Sequence, residues 1–197
     1  MRLILASASA SRRQVLTAAQ VPFTAIPAGI DEDRLKDELL ARRVDIVGIA
    51  AALAEAKAVH VAAKNPGALV LGADQTLLFE GELVSKCADL AAARKLLLRL
   101  RGKMHRLVGA LALAKGRDVI WRHSETSSLT MREFSDAFLD RYLAAEGEGI
   151  LGCVGCYKLE GLGAQLFGCV EGDYFSILGL PLQPLLAELR RQGVIAT

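Results

Sequence analysis

An α/β fold with a mixed sheet is the class this sequence predicts. Three observations predict it. Apolar runs of strand length alternate along the chain with longer helix-like segments. Arg2–Ala6 is a short buried-strand pattern and Ala68–Ala73 a continuous apolar run, as strands buried on both faces show. Hairpin signals then sit in the middle, at Glu80-Gly81-Glu82 and at Lys115-Gly116-Arg117. With 197 residues, 52% of them hydrophobic, the chain can bury one substantial core or one core with two lobes. No repeat, low-complexity tract or linker divides it, so residues 1–197 read as one domain.

The elements follow in order. Arg2–Ala6 is a strand, Ser7–Ser11 a Ser/Ala loop, and Arg12–Gln20 a helix. Pro22–Pro27 is a second strand, followed by the acidic turn Gly29–Asp33. Asp45 can cap a helix over Ile46–Ala63, which Asn65-Pro66-Gly67 ends. Ala68–Ala73 is a strand that stops at Asp74. Gln75–Phe79 and Leu83-Val84 form a hairpin, and Leu90–Leu100 is a helix ending near Gly102. Arg106–Ala114 and Val119–Met131 are strands. Ser135 caps a helix to about Ala145, and Gly147–Gly155 is a loop. Ala164–Leu178 holds two strands around Gly172-Asp173, and Pro184–Gln192 is the last helix.

Charge and cysteine usage narrow the function classes. The net charge is +2, from 24 basic and 22 acidic residues, with no basic run. A protein that coats nucleic acid or an anionic membrane needs such a patch, so neither partner is expected. The N-terminal apolar run is too short for a secretory signal, and charges interrupt every stretch of membrane-spanning length. The four cysteines at 87, 153, 156 and 169 are expected to be reduced, and the cytoplasm is the expected location.

Several residues can carry chemistry. Asp74, at the end of a buried strand, can bind Mg²⁺ or accept a proton from water; a turn acid would look the same. Ser7–Arg13 places three serines and two arginines between strand and helix, where hydroxyls, amides and a guanidinium suit phosphate oxygens. The same residues also suit a Ser-capped helix with surface arginines. Lys57 and Lys86 serve equally as surface lysines, and Asp31 and Glu32 as cap residues. Cys153-Val154-Gly155-Cys156 is a lone C-x-x-C, a weak zinc or redox signal, and His60, His105 and His123 show no ligand spacing.

Together these segments resemble the Maf family of nucleotide pyrophosphatases along nearly the whole chain. Leu5-Ala6-Ser7-Ala8-Ser9 with Arg12-Arg13 is similar to its Leu-Ala-Ser-x-Ser opening. Leu53-Ala54 with Lys57-Ala58, Gly72-Ala73-Asp74, Lys86, and Gly102 with His105 follow in the family's order. Gly155, Tyr157, Glu160-Gly161 and Gly163, then Gly172-Asp173-Tyr174 and Gly179-Leu180-Pro181-Leu182, complete the likeness. The resemblance implies an elongated, ITPase-like α/β domain whose two lobes flank a nucleotide cleft, and often a homodimer. It implies hydrolysis between the α- and β-phosphates with a divalent cation, Mg²⁺ or Mn²⁺. Asp74 would be the base and a metal ligand, Glu32 a second metal-holding acid, and Lys57 and Lys86 the catalytic cations. Ser7, Ser9, Ser11, Arg12 and Arg13 would line the triphosphate. Departures exist: Cys87 stands where the family usually has Pro, Gly152-Cys153 where many members have Asp-Lys, and Gly109 where Thr or Ser is common.

Other departures resemble the 7-methyl-GTP branch of the family rather than the dTTP/UTP branch. Ala10 and Ser11 both separate Ser9 from Arg12, Gln75 replaces a Thr, and Lys158 and Glu160 replace a Gly and a Gln. Guanine presents two adjacent donors, N1–H and N2–H₂, which one carboxylate such as Glu160 can accept together. Glu160 would equally serve as an ion-pair partner of Lys158. A dTTP/UTP pyrophosphatase and a nucleotide-binding regulator of septum formation are the competing readings. The retention of Glu32, Lys57, Asp74 and Lys86 favours an enzyme.

Overall fold

The computed structural model describes residues 2–196. Its strands are β1 (Leu3–Leu5), β2 (Thr24–Ala25), β3 (Leu69–Phe79), β4 (Glu82–Val84), β5 (Met104–Lys115), β6 (Asp118–Met131) and β7 (Phe167–Glu171). Its helices are α1 (Ala10–Ala18), α2 (Glu32–Ala41), α3 (Ile46–Ala63), α4 (Leu90–Leu100), α5 (Asp136–Glu146), α6 (Tyr174–Ile177) and α7 (Leu182–Arg191). The sheet order is β2-β1-β3-β5-β6-β7, with β4 on β3. Parallel and antiparallel pairs coexist, as expected of a mixed α/β sheet.

Local sequence explains the helix starts. Ser9, Asp31, Asp45, Asp89, Ser135 and Asp173 each accept a backbone N–H from the first turn that follows. Two expected boundaries move. Helix α1 begins at Ala10 with Ser9 as its cap, so Ala10 and Ser11, expected in the loop, are helical. Asp31 caps α2, which puts Glu32 in a first helical turn rather than a free turn. The second strand expected after Gly172 is instead the short helix α6, because the Asp173 carboxylate takes the Ser176 amide at 2.8 Å. The strand expected at 22–27 shrinks to Thr24–Ala25.

The described chain packs as two compact units. The first comprises residues 2–75, Val108–Glu125 and residues 179–196. In it β1 lies between β2 and β3, parallel to both. Its core is built from small residues: Ala50, Ala54, Ala58 and Ala62 of α3 against Ile4, Val70, Ala110 and Ala112 of the strands. Helix α3 is long and apolar enough, by length and composition, to cross a membrane. Here that apolar face is a core face, and its Lys57 is ion-paired.

The second unit comprises Thr76–Leu107 and Thr126–Leu178. Here β4 pairs antiparallel with β3 through the Glu80-Gly81 turn, whose two φ angles of 52° and 85° give the twist a tight hairpin needs. Its core uses larger side chains, among them Phe79, Leu97, Leu129, Leu139, Tyr142 and Leu166. Inside it His105 and Tyr157 meet at 2.7 Å, and burial pushes the His105 imidazole down to about 4.

Candidate active site

Strand alternation sets the first group. Residues 70, 72 and 74 of β3 share one side chain direction. Val70 joins the core formed with α3. Gly72 lies directly under α3: a Cβ there would sit 2.0 Å from the Ala54 carbonyl oxygen and 2.7 Å from the Ala58 nitrogen. Only glycine permits that approach. One step further, Asp74 meets Lys57, which projects from the same helix between Ala54 and Ala58. The Lys57 Nζ lies 2.7 Å from Asp74 Oδ1 and 2.8 Å from Glu32 Oε2.

Asp74 does not end its strand; β3 continues to Phe79. A carboxylate in mid-strand is therefore buried, with its side chain 8% exposed and that of Lys57 7%. Glu32, at the start of α2, is 39% exposed. Lys57 engages one oxygen of each acid and leaves the second oxygen of each carboxylate to other ligands.

Arg12 completes the group. Its Nε donates to the Gly179 carbonyl at 2.9 Å, and its Nη1 to the Ala73 carbonyl at 2.9 Å and Ser7 Oγ at 3.2 Å. The side chain thus ties α1 to β3 and to the segment before α7. Burial lowers the pKa of the guanidinium, while the Asp74 and Glu32 charges oppose that shift. Two acids and two bases therefore balance in one place, which a mostly buried cluster requires.

The other expected residues fall around this group or elsewhere. Ser7 Oγ also accepts the Ser9 amide, and Ser9 Oγ accepts the Arg12 amide as the α1 cap. Ser11 is half-buried and Arg13 exposed. Gln75 follows Asp74, its Oε1 near the space a Gly179 Cβ would fill. Lys86, Lys158 and Glu160 belong to the second unit. There Glu160, Lys158, Lys86 and Glu146 all act on the Cys153 thiol, whose pKa burial raises. Lys158 pairs with Glu146 at 3.3 Å, not with Glu160, which is exposed. All four cysteines are free, and burial pushes Cys156 up to about 12, far from a reactive thiolate.

Three participants are not among the expected site residues. The Gly179 and Ala73 carbonyls receive Arg12, and Glu146 holds Lys158. Main-chain acceptors leave no residue-type signal, whereas Glu146 carries one, an acid directly before the Gly147–Gly155 loop.

An α/β protein with a charge-balanced acid and base cluster beside a Ser-capped helix is the class that fold and site define. The chain belongs to the Maf family, whose Maf-like protein pattern matches residues 2–192. It is 50% identical to a nucleoside triphosphate pyrophosphatase of Granulibacter bethesdensis, covering 99% of each chain. It is 51% identical to one of Caulobacter vibrioides, over 97% of this chain and 96% of the other. It is 48% identical to a 7-methyl-GTP pyrophosphatase of Rhizobium meliloti, over 98% and 97%. A HAM1 protein from Coxiella burnetii is a remote structural likeness, at 17% identity and a TM-score of 0.41, over 66% of this chain and 73% of that one.

Proposed function

We propose that this chain hydrolyses a nucleoside triphosphate to its monophosphate and pyrophosphate. The observation that carries the reading is Lys57, with one ammonium shared between Asp74 and Glu32. Water adds across the α–β anhydride, its oxygen joins the nucleoside phosphate, and pyrophosphate leaves. Asp74 accepts the proton, since the oxygen not held by Lys57 remains available. Lys57 and Lys86 offset charge on the phosphates, and the α1 amino end with Ser7, Ser9, Ser11 and Arg13 receives phosphate oxygens. Arg12, committed to three protein acceptors, holds this frame in place.

Among the described residues no group of three or more His, Cys, Asp or Glu could hold a metal by itself. Mg²⁺ commonly takes one or two carboxylates and completes its shell with water and phosphate, so Asp74 and Glu32 fit Mg²⁺ or Mn²⁺ bound with substrate. When bound, that cation would neutralise phosphate charge and acidify water.

The finer reading is a guanine-type substrate such as 7-methyl-GTP, in a cytoplasmic house-cleaning role. It is supported by the exposure of Glu160 and by Lys158 lying on Glu146 instead. The homodimer implied by the family resemblance belongs to the same reading, and sedimentation would check it.

The test is product analysis. Wild type with Mg²⁺ should release pyrophosphate and none in chelator. Asp74→Asn should lose about 10²- to 10⁴-fold in kcat while still binding nucleotide. Release of inorganic phosphate instead of pyrophosphate would overturn the assigned bond.

A further inference from the structure

The loop that carries Glu160 is clipped by an ion pair in which Glu160 takes no part. Lys158 Nζ lies 3.3 Å from Glu146 Oε2, with side chains 32% and 15% exposed. Glu146 is the last residue of α5. A helix C-terminus is electronegative, so a half-buried carboxylate there is unfavourable unless a cation answers it. Lys158 is that cation.

Two glycine segments pass close to the clip. A Cβ at Gly149 would sit 2.9 Å from Lys158 Nζ, and one at Gly161 3.6 Å from Glu146 Oε1. Beyond Lys158 the chain turns back on itself. The Gly161 amide donates to the Lys158 carbonyl at 3.3 Å, and a Cβ at Gly163 would meet that carbonyl oxygen at 2.3 Å. Lys158 therefore anchors the turn through its backbone while its ammonium is held by α5. Glu160 stands exposed on the turn, with no ion pair among the described residues. Lys158 and Glu160 are two residues apart on this one turn, so an ammonium released by Glu146 would have Glu160 in its neighbourhood.

We infer that Glu146 is a positioning residue for base recognition: by holding Lys158, it keeps the Glu160 carboxylate unpaired and open to the adjacent N–H donors of a guanine-type base. The inference rests on the reading that Glu160 meets the base. Glu146 itself touches no substrate. Its effect is on selectivity, because a neutralised Glu160 loses its advantage with paired donors but not with a pyrimidine.

The experiment measures kcat and KM for 7-methyl-GTP and UTP in wild type, Glu146→Gln and Glu146→Gln/Lys158→Gln. In Glu146→Gln the 7-methyl-GTP kcat/KM should fall about tenfold, mainly through KM, while UTP changes less than about threefold. Removing the Lys158 charge as well should restore most of the lost ratio, which a purely structural role for Glu146 would not produce. An unmoved ratio in Glu146→Gln, an equal loss on both substrates, or no recovery in the double variant overturns the proposal. If Glu146→Gln fails to fold, Glu146→Asp reads the same ratio with the charge withdrawn by one methylene. Wild type without preference for 7-methyl-GTP would sink the base reading itself, together with this inference; wild-type preference with an unmoved variant sinks only the role of Glu146.

Discussion

Gly72→Ala tests whether close helix–strand approach builds the candidate site. The added Cβ would lie 2.0 Å from the Ala54 carbonyl oxygen, 2.7 Å from the Ala58 nitrogen and 2.9 Å from the Ala58 Cβ. A tolerable carbon–oxygen contact is about 3.3 Å, so α3 and β3 must separate by about 1.3 Å. Two of the three obstacles are backbone atoms within a helix, which no rotamer change can clear. The cost belongs at the upper end of overpacking, about 3 kcal/mol. The same movement stretches the 2.7 Å contact between Lys57 and Asp74 towards about 4 Å. A 1 Å misplacement of catalytic groups typically costs about 10²-fold in rate. Urea denaturation measures the first loss, and pyrophosphate release at saturating nucleotide measures the second. Wild-type stability with wild-type turnover would refute the claim that this contact sets the Lys57–Asp74 geometry. Lost stability with intact turnover in the folded fraction would refute only its link to the site.

The remaining predictions concern single side chains. Arg12→Lys should destabilise by about 2–3 kcal/mol in denaturant melts, since one ammonium cannot reach Ser7, Ala73 and Gly179 as the guanidinium fork does. His105 is held neutral by burial, with a pKa of about 4 against an ordinary 6.5, so its stabilising effect is complete above pH 6.5 and fades as pH falls towards 4. That loss should amount to about 3 kcal/mol, and His105→Leu should abolish this part of the pH slope. Glu160→Gln should lower kcat/KM for 7-methyl-GTP by about 30-fold or more and that for UTP by less; equal losses would reject base recognition while leaving the hydrolysis reading intact.

Much of the fold was legible because local chemistry and tertiary packing agree. Asp45 and the Asn65-Pro66-Gly67 stop bracket α3 as read, and Leu90–Leu100 matches α4. Where the two levels compete, tertiary packing prevails over the local pattern. Asp74 looked like a strand terminator because a carboxylate is rarely buried in mid-strand, yet β3 runs on through it. The pattern could not show that Lys57, 17 residues earlier, would arrive to neutralise it. The segment after Gly172-Asp173, to Leu178, reads as a second strand, but Asp173 caps a helical turn there instead.

The candidate site was legible as residue types and only partly as geometry, for a reason rooted in charge. Glu32, Lys57, Asp74 and Arg12 come from four separate elements, and no spacing rule joins them. What joins them is the cost of burying any one alone. Asp74 beneath α3 demands a cation; Lys57 supplies it and has capacity for a second acid, which Glu32 at the start of α2 provides. Arg12 then balances the remaining negative charge while satisfying three buried acceptors. Each member explains the next, so the cluster can form before any ligand arrives. On the proposed reading this neutrality is also a resting state. A polyphosphate gains little from a group whose charges already cancel; Asp74 and Glu32 would hold a divalent cation bound with substrate, and Lys57 is then the side chain whose ammonium can turn to phosphate. Folding and phosphate chemistry then draw on the same four residues, so a substitution at any one of them should show in both stability and turnover.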